Sequence, residues 1–131
     1  MKIEVFALCD AATDQQGKLN ILGAFDTLFG RNFPVTHPQC ALAIRIRFPR
    51  SLQGQHKITI HLIDEDGRFL IPKLEGNLDM KVPENQDSLA VNLIFNLNGL
   101  KFERAGFYEI NLMVDEKQEA SLPLQVKEIQ G

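Results

Sequence analysis

Tryptophan is absent from this 131-residue chain, tyrosine occurs once, cysteine twice, and the 14 Lys and Arg are outnumbered by 17 Asp and Glu. Each shortage removes a class of function. A formal net charge of -3 argues against nucleic acid as a partner, because phosphate recognition runs on an excess of Lys and Arg. One Tyr without Trp makes no platform for stacking bases. Two cysteines cannot build the disulfide framework of a small secreted domain. No run approaches the roughly 18 apolar residues of a membrane helix. Glu4 interrupts the apolar N-terminal stretch and Asp10 closes it, whereas a secretory signal needs about 7 uninterrupted apolar residues and a small-residue cleavage site. The expectation is a cytoplasmic protein with no membrane and no nucleic acid among its partners. Cys9 and Cys40 are then expected as buried free thiols rather than a bridge.

Catalytic signatures are equally scarce. There is no Gly-x-Ser-x-Gly elbow, no Walker or Gly-x-Gly-x-x-Gly phosphate loop, and no Cys-x-x-Cys or His-x-x-x-His spacing, so neither covalent catalysis, a cofactor nor a zinc site is indicated. Cys9 stands next to Asp10, whose charge opposes thiolate formation.

What the chain has in abundance is alternation. Cys40, Leu42, Ile44, Ile46 and Phe48 recur at every second position, as do Ile58, Ile60 and Leu62, then Val91, Leu93, Phe95 and Leu97, then Tyr108, Ile110, Leu112 and Val114, then Ala120, Leu122, Leu124 and Val126. A period of two is the mark of half-buried strands, whose successive side chains point to opposite faces. Shorter strands are expected at Lys2–Leu8, Lys18–Leu22, Phe25–Phe29, Arg68–Ile71 and Asn77–Val82. Gln16-Gly17, Ser51–Gln55, Asp66-Gly67, Pro83–Asp87 and Glu116–Gln118 supply turns. No segment carries a sustained helical period, and one helical turn near Leu100–Arg104 is the most expected. Eight or nine short strands in one domain, residues 1–131, predict an antiparallel, immunoglobulin-like β-sandwich. Gly106-x-Tyr108 at a strand start suits the Tyr corner of such sandwiches, whose hydroxyl bonds upstream backbone. In the last hairpin, Val114 is expected opposite Ala120, Leu112 opposite Leu122 and Ile110 opposite Leu124. Pro123 would then face outward on an edge or bulged strand.

The run Leu8-Cys9-Asp10-Ala11-Ala12, then Gly17-Lys18-Leu19-Asn20-Ile21-Leu22-Gly23-Ala24-Phe25-Asp26, resembles the opening of an uncharacterised bacterial family. The similarity extends through His37-Pro38, the Asp64–Gly67 turn and the Gly106-x-Tyr108 strand. That family consists of small cytoplasmic all-β, immunoglobulin-like sandwich proteins of unknown function. The resemblance implies the fold, and it brings no activity, cofactor or catalytic residue.

Three candidate sites remain. If the strands around Cys40–Phe48 and Lys57–Asp64 pair as a hairpin, Arg45 falls opposite His61 and Arg47 opposite Thr59. With Arg50 near, that would make a cationic patch able to hold a carboxylate or phosphate; a connection crossing between sheets would void it. The acidic turn Asp64-Glu65-Asp66 could offer oxygen ligands to calcium, although six to eight are wanted. Phe25, Phe29 and Phe33, with Ala24, Leu28, Pro34 and Val35, form an apolar cluster that either caps the core or serves as a contact surface. Ile63, Ile94 and Met113 break the polar parity of their strands, which implies a covered outer face, by the chain itself or by another subunit. The leading expectation is a non-catalytic protein acting through protein contacts, a homodimer among them. The alternative is a small-molecule or anion-binding domain, an enzyme among the options, using Arg45, Arg47 and His61.

Overall fold

The computed structural model describes residues 1–130. Alternation is realised as nine strands: β1 (Lys2–Gln15), β2 (Lys18–Ala24), β3 (Thr27–Gly30), β4 (Val35–Pro49), β5 (Gly54–Ile63), β6 (Leu74–Met80), β7 (Ser88–Phe102), β8 (Gly106–Val114) and β9 (Lys117–Glu128). They form a four-stranded sheet in the order β2-β1-β4-β7 and a five-stranded sheet in the order β3-β9-β8-β5-β6. The expected β-sandwich is therefore present, with one departure from antiparallel pairing: β3 runs parallel to β9, Thr27 beside Gln125 and Gly30 beside Glu128. No helix is long and apolar enough to cross a membrane among the described residues.

Between the sheets lie the residues of the alternating sets. Leu42, Ile44, Ile46 and Phe48 of β4, Ile60 and Leu62 of β5, Ile110 and Leu112 of β8 and Leu124 of β9 are at most 1% exposed. Burying each of these large side chains stabilises the fold by roughly 1.5–3 kcal/mol.

Several boundaries differ from expectation, each for a physical reason. The segment Arg68–Ile71 is not a strand: a single bridge joins Phe69 to Ile63, and the sixth strand begins at Leu74. Phe25 lies outside β3, where its amide donates to the Leu8 carbonyl as the chain crosses from one sheet to the other. The single helical turn is at Arg50–Leu52, not Leu100–Arg104, because β7 continues through Phe102. Gly99, at φ 63°, lets β7 bend so that Leu100 and Phe102 turn inward after Leu97.

The last hairpin is shifted by two residues. Leu112 pairs with Ala120, Ile110 with Leu122 and Tyr108 with Leu124. Asp115 and Glu116 form a two-residue turn with φ of 52° and 71°, the left-handed pair such tight hairpins need. A bulge after Leu112 then restores the parity, so the apolar face is kept. Pro123 sits on a strand that is internal in the sheet order, yet β3 covers β9 only from Gln125 onward. At Pro123 the strand is locally an edge, where a missing N–H costs nothing.

The Tyr108 hydroxyl donates to the Arg104 carbonyl at 2.7 Å, and its ring meets Phe102 edge-on at 5.0 Å. This is the expected corner. Tyr108→Phe keeps the ring and removes the bond, so it should lower unfolding free energy by about 1 kcal/mol. Urea denaturation checks this; an unchanged midpoint would mean that the hydroxyl contributes nothing.

Candidate functional site

The sequence places Arg45 and Arg47 on the outward parity of β4, and that is where they lie. They do not meet His61. Residues Arg50–Gln53 carry the chain to the other sheet, so β4 and β5 do not pair. His61 stands beside Asn111 on the outer face of the five-stranded sheet, with Phe69 edge-on at 4.9 Å. Burial, then the charge of Lys73, holds its pKa below the usual imidazole value. The expected Arg45–His61 patch is therefore not assembled.

Glu4 takes the place of His61, a role that alternation gave no reason to assign to it. In β1, Ile3 pairs with Ile46 and Val5 with Arg45, leaving Glu4 as the extra residue of a bulge. A bulge re-aims a side chain, and here the carboxylate reaches both arginines. Glu4 Oε1 accepts from Arg45 Nε at 2.9 Å and Oε2 from Arg47 Nε at 2.7 Å. Hydrogen bonding from Arg47 outweighs burial and, with Arg45, holds the Glu4 carboxyl below its ordinary pKa. Their Nη1 groups are engaged as well: Arg45 Nη1 with Asn92 Oδ1 and the Gly17 carbonyl, Arg47 Nη1 with Ser88 Oγ. Asn92 donates to the Gly17 carbonyl as well, at 3.1 Å. The network ties the tip of the β1–β2 hairpin down onto the sheet. Beneath the hairpin, Ala12, Leu19 and Ile94 pack on Cys9, Ala41 and Ala43. The outward apolar Ile94 is thus covered by the chain itself. The spacing of Ile3, Phe6 and Leu8, three and then two, is the one sign of the bulge in the sequence.

Arg50 is likewise occupied, by the carbonyls of Val82, Pro83 and Gln86. The acidic turn uses its carboxylates internally: Asp64 Oδ1 accepts from the amides of Asp66 and Arg68, both at 2.9 Å, and Glu65 Oε1 from the Phe107 amide at 2.8 Å. Among the described residues no three His, Cys, Asp or Glu side chains are placed to hold a metal ion. Both cysteines are free and buried. Burial, with Cys9 and Asp10 close by, pushes the Cys40 thiol up to about 11. Burial and Asp10 also raise Cys9, whose sulfur contacts the Ala41 carbonyl at 3.5 Å.

The three phenylalanines part company. Phe25 and Phe33 pack against the core, while Phe29 is 60% exposed. Phe29 belongs instead to an outer-face strip on the five-stranded sheet. Phe107, 59% exposed, faces outward on β8 beside Gln125, which neighbours Thr27 of β3. Ile63 and Phe107 line one cleft of about 280 Å³. Phe69, 55% exposed, bridges to Ile63. Phe69, Ile63 and Phe107 therefore lie together at one end of that face, and Phe29 stands on the same face two strands from Phe107, across Gln125 and Thr27. Neither Phe69 nor Phe107 stands out in the sequence, because strand order alone brings them together.

His56 forms a second polar knot. Its Nδ1 lies 2.6 Å from Asp115 Oδ2 and its Nε2 2.5 Å from the Leu52 carbonyl, with the ring stacked on Phe48 at 4.8 Å. Acceptors at both nitrogens call for two N–H groups, hence the imidazolium. Burial opposes that charge, but Leu52 and Asp115 outweigh it and the pKa is raised. Asp115 Oδ1 also accepts from the Lys57 amide at 2.8 Å, which steadies the left-handed turn.

The chain matches a family of unknown function, DUF6941, over residues 4–127. It belongs to that family. No curated protein and no solved structure matches it. Membership agrees with the resemblance carried by the N-terminal third, and the Glu4, His56 and outer-face clusters all lie within the matched span.

The two polar clusters can be probed separately. In Glu4→Gln the arginines lose their counter-charge, so about 10 mM phosphate should raise the melting temperature of the variant by linkage and leave the wild type unmoved at equal ionic strength. For His56 the folded pKa is raised, so its stabilisation is complete below the unfolded value of about 6.5 and fades as pH rises through the folded value. Asp115 is lowered, chiefly by His56, so its share fades as pH falls through its folded value. The stability difference between wild type and His56→Gln should peak between about pH 4 and 6.5; a pH-independent difference would contradict the ion pair.

Proposed function

We propose that this protein is a non-catalytic, cytoplasmic contact module that binds another protein through the outer face of its five-stranded sheet. The observation that carries the reading is that Phe69, Phe107 and Phe29 stand more than half exposed on this one face, with Ile63 beside Phe69 and Phe107. Apolar side chains grouped on a sheet face are costly to leave in water, and such patches mark recognition surfaces. Aromatic residues are also the usual anchors of binding energy. The polar groups argue in the same direction: Arg45, Arg47, Arg50, Asp64 and Glu65 are engaged within the fold. Two buried thiols left unpaired fit a reducing compartment.

A photo-crosslinking side chain at Phe107 or Phe29, installed in the cells that make the protein, tests this. One protein adduct of defined mass is expected from both positions and none from the exposed loop residue Asn85. Phe69→Ser should weaken it several-fold without lowering the melting temperature. Equal labelling at Asn85, or no adduct at either phenylalanine, would remove the reading. A phosphate-dependent rise in wild-type melting temperature would turn attention back to Arg45 and Arg47.

A further inference from the structure

At the end of the outer face that holds Phe107, exposed aromatic surface adjoins negative charge. The cleft lined by Ile63 and Phe107 also carries Asp64, Glu65 and Glu109. A neighbouring cleft of about 370 Å³ shares Asp64, Glu65, Phe107 and Tyr108 with it and adds Asp66 and the segment from Arg104 to Gly106. The two make one groove, with exposed Phe107 in the wall common to both.

The carboxylates of this groove are held in place without being neutralised. Asp64 Oδ1 accepts from two backbone amides, Glu65 Oε1 from the Phe107 amide and Glu109 Oε1 from Ser121 Oγ. Such donors fix an anion but bring no opposite charge. Gly106, at φ 151°, makes room for Glu65, since a Cβ there would lie 2.7 Å from Glu65 Oε1. Among the described residues the one cation paired with this group is Arg104, 3.9 Å from Asp66, with both side chains exposed. Arg68, next in the turn, lines neither cleft. The Tyr108 hydroxyl registers the imbalance: burial, then Asp64 and also Glu65, raise its pKa against the pull of Arg104.

We propose that the protein bound at this end of the face presents an arginine-bearing segment, its guanidinium among Asp64, Glu65 and Glu109 and its methylene stem along Phe107. The inference rests on the contact-module reading and adds the chemistry of the partner. Charge complementarity sets the sign of the segment. An acidic or wholly apolar segment would strip water from these carboxylates and give them no counter-charge, which is costly. Arginine suits both halves of the groove: its planar fork pairs with carboxylates and stacks on an aromatic face, and its stem is apolar. Among the described residues no three of these side chains are grouped to hold a metal ion, so the fitting cation is a side chain.

Fluorescence anisotropy with two labelled heptapeptides tests it: Gly-Leu-Arg-Gly-Leu-Arg-Gly, and the same chain with citrulline for arginine. Wild type should bind the arginine peptide about tenfold more tightly than its citrulline counterpart, which has the shape without the charge. Glu65→Gln/Glu109→Gln keeps both acceptor oxygens and removes two charges, so most of that preference should vanish. Asp79→Asn/Glu84→Gln removes two exposed charges on and beyond β6 and should retain it. Melting temperatures verify that the variants fold. No preference in wild type overturns the proposal, and so does an equal loss in the Asp79/Glu84 variant, which would mean general attraction to an acidic protein. Crosslinking from Phe107 in cells separates this inference from the reading beneath it. An adduct undiminished in Glu65→Gln/Glu109→Gln keeps the contact module and removes the arginine segment. An adduct of the chain with itself overturns the separate partner. No adduct at Phe107 or Phe29 removes both.

Discussion

The change of sheet between Pro49 and Gly54 governs the rest of this molecule. β4 ends with its inward row fully buried, and the chain must then cross to the facing sheet rather than fold back beside itself. A turn at Arg50–Leu52 and Gly54 at φ 126° make the crossing, and Arg50 pins it to three carbonyls around Val82–Gln86. Because of that crossing Arg45 and His61 occupy opposite outer faces. The same crossing brings the Leu52 carbonyl to His56 and stacks His56 on Phe48. One connection thus separates the anion site that a hairpin would have made and builds a charged knot instead.

Polar groups in this protein are mostly spent on holding segments in place. Glu4 joins two arginines, and those arginines, through Asn92 and Gly17, hold a hairpin over the sheet. Asp115 joins β5 to the β8–β9 turn. Exposed ion pairs contribute little on their own; their effect here is positional, since each carboxylate serves two donors. Beyond those groups the molecule exposes Phe29, Phe69 and Phe107 on the outer face of one sheet.

The strands, their inward residues and the Tyr108 corner are legible in the sequence, because period-two alternation and Gly-x-Tyr are local signals. The β1 bulge is half legible, in the spacing of Ile3, Phe6 and Leu8. The last hairpin shows where local reasoning stops. Its parity is readable, yet the register that alternation favours is off by two residues. The deciding bonds, from Asp115 to His56 and to the Lys57 amide, come from a strand more than fifty residues away in the chain.

By itself the sequence determined that the chain is nearly all strand, which side chains face the core, and that both cysteines stay thiols. Those properties follow from side-chain pattern and hydrophobicity, which act residue by residue. Only the tertiary structure decided the order of strands, and with it which charges meet and which phenylalanines share a face. Alternation assigns each residue a face but never a neighbour, and sites are made of neighbours.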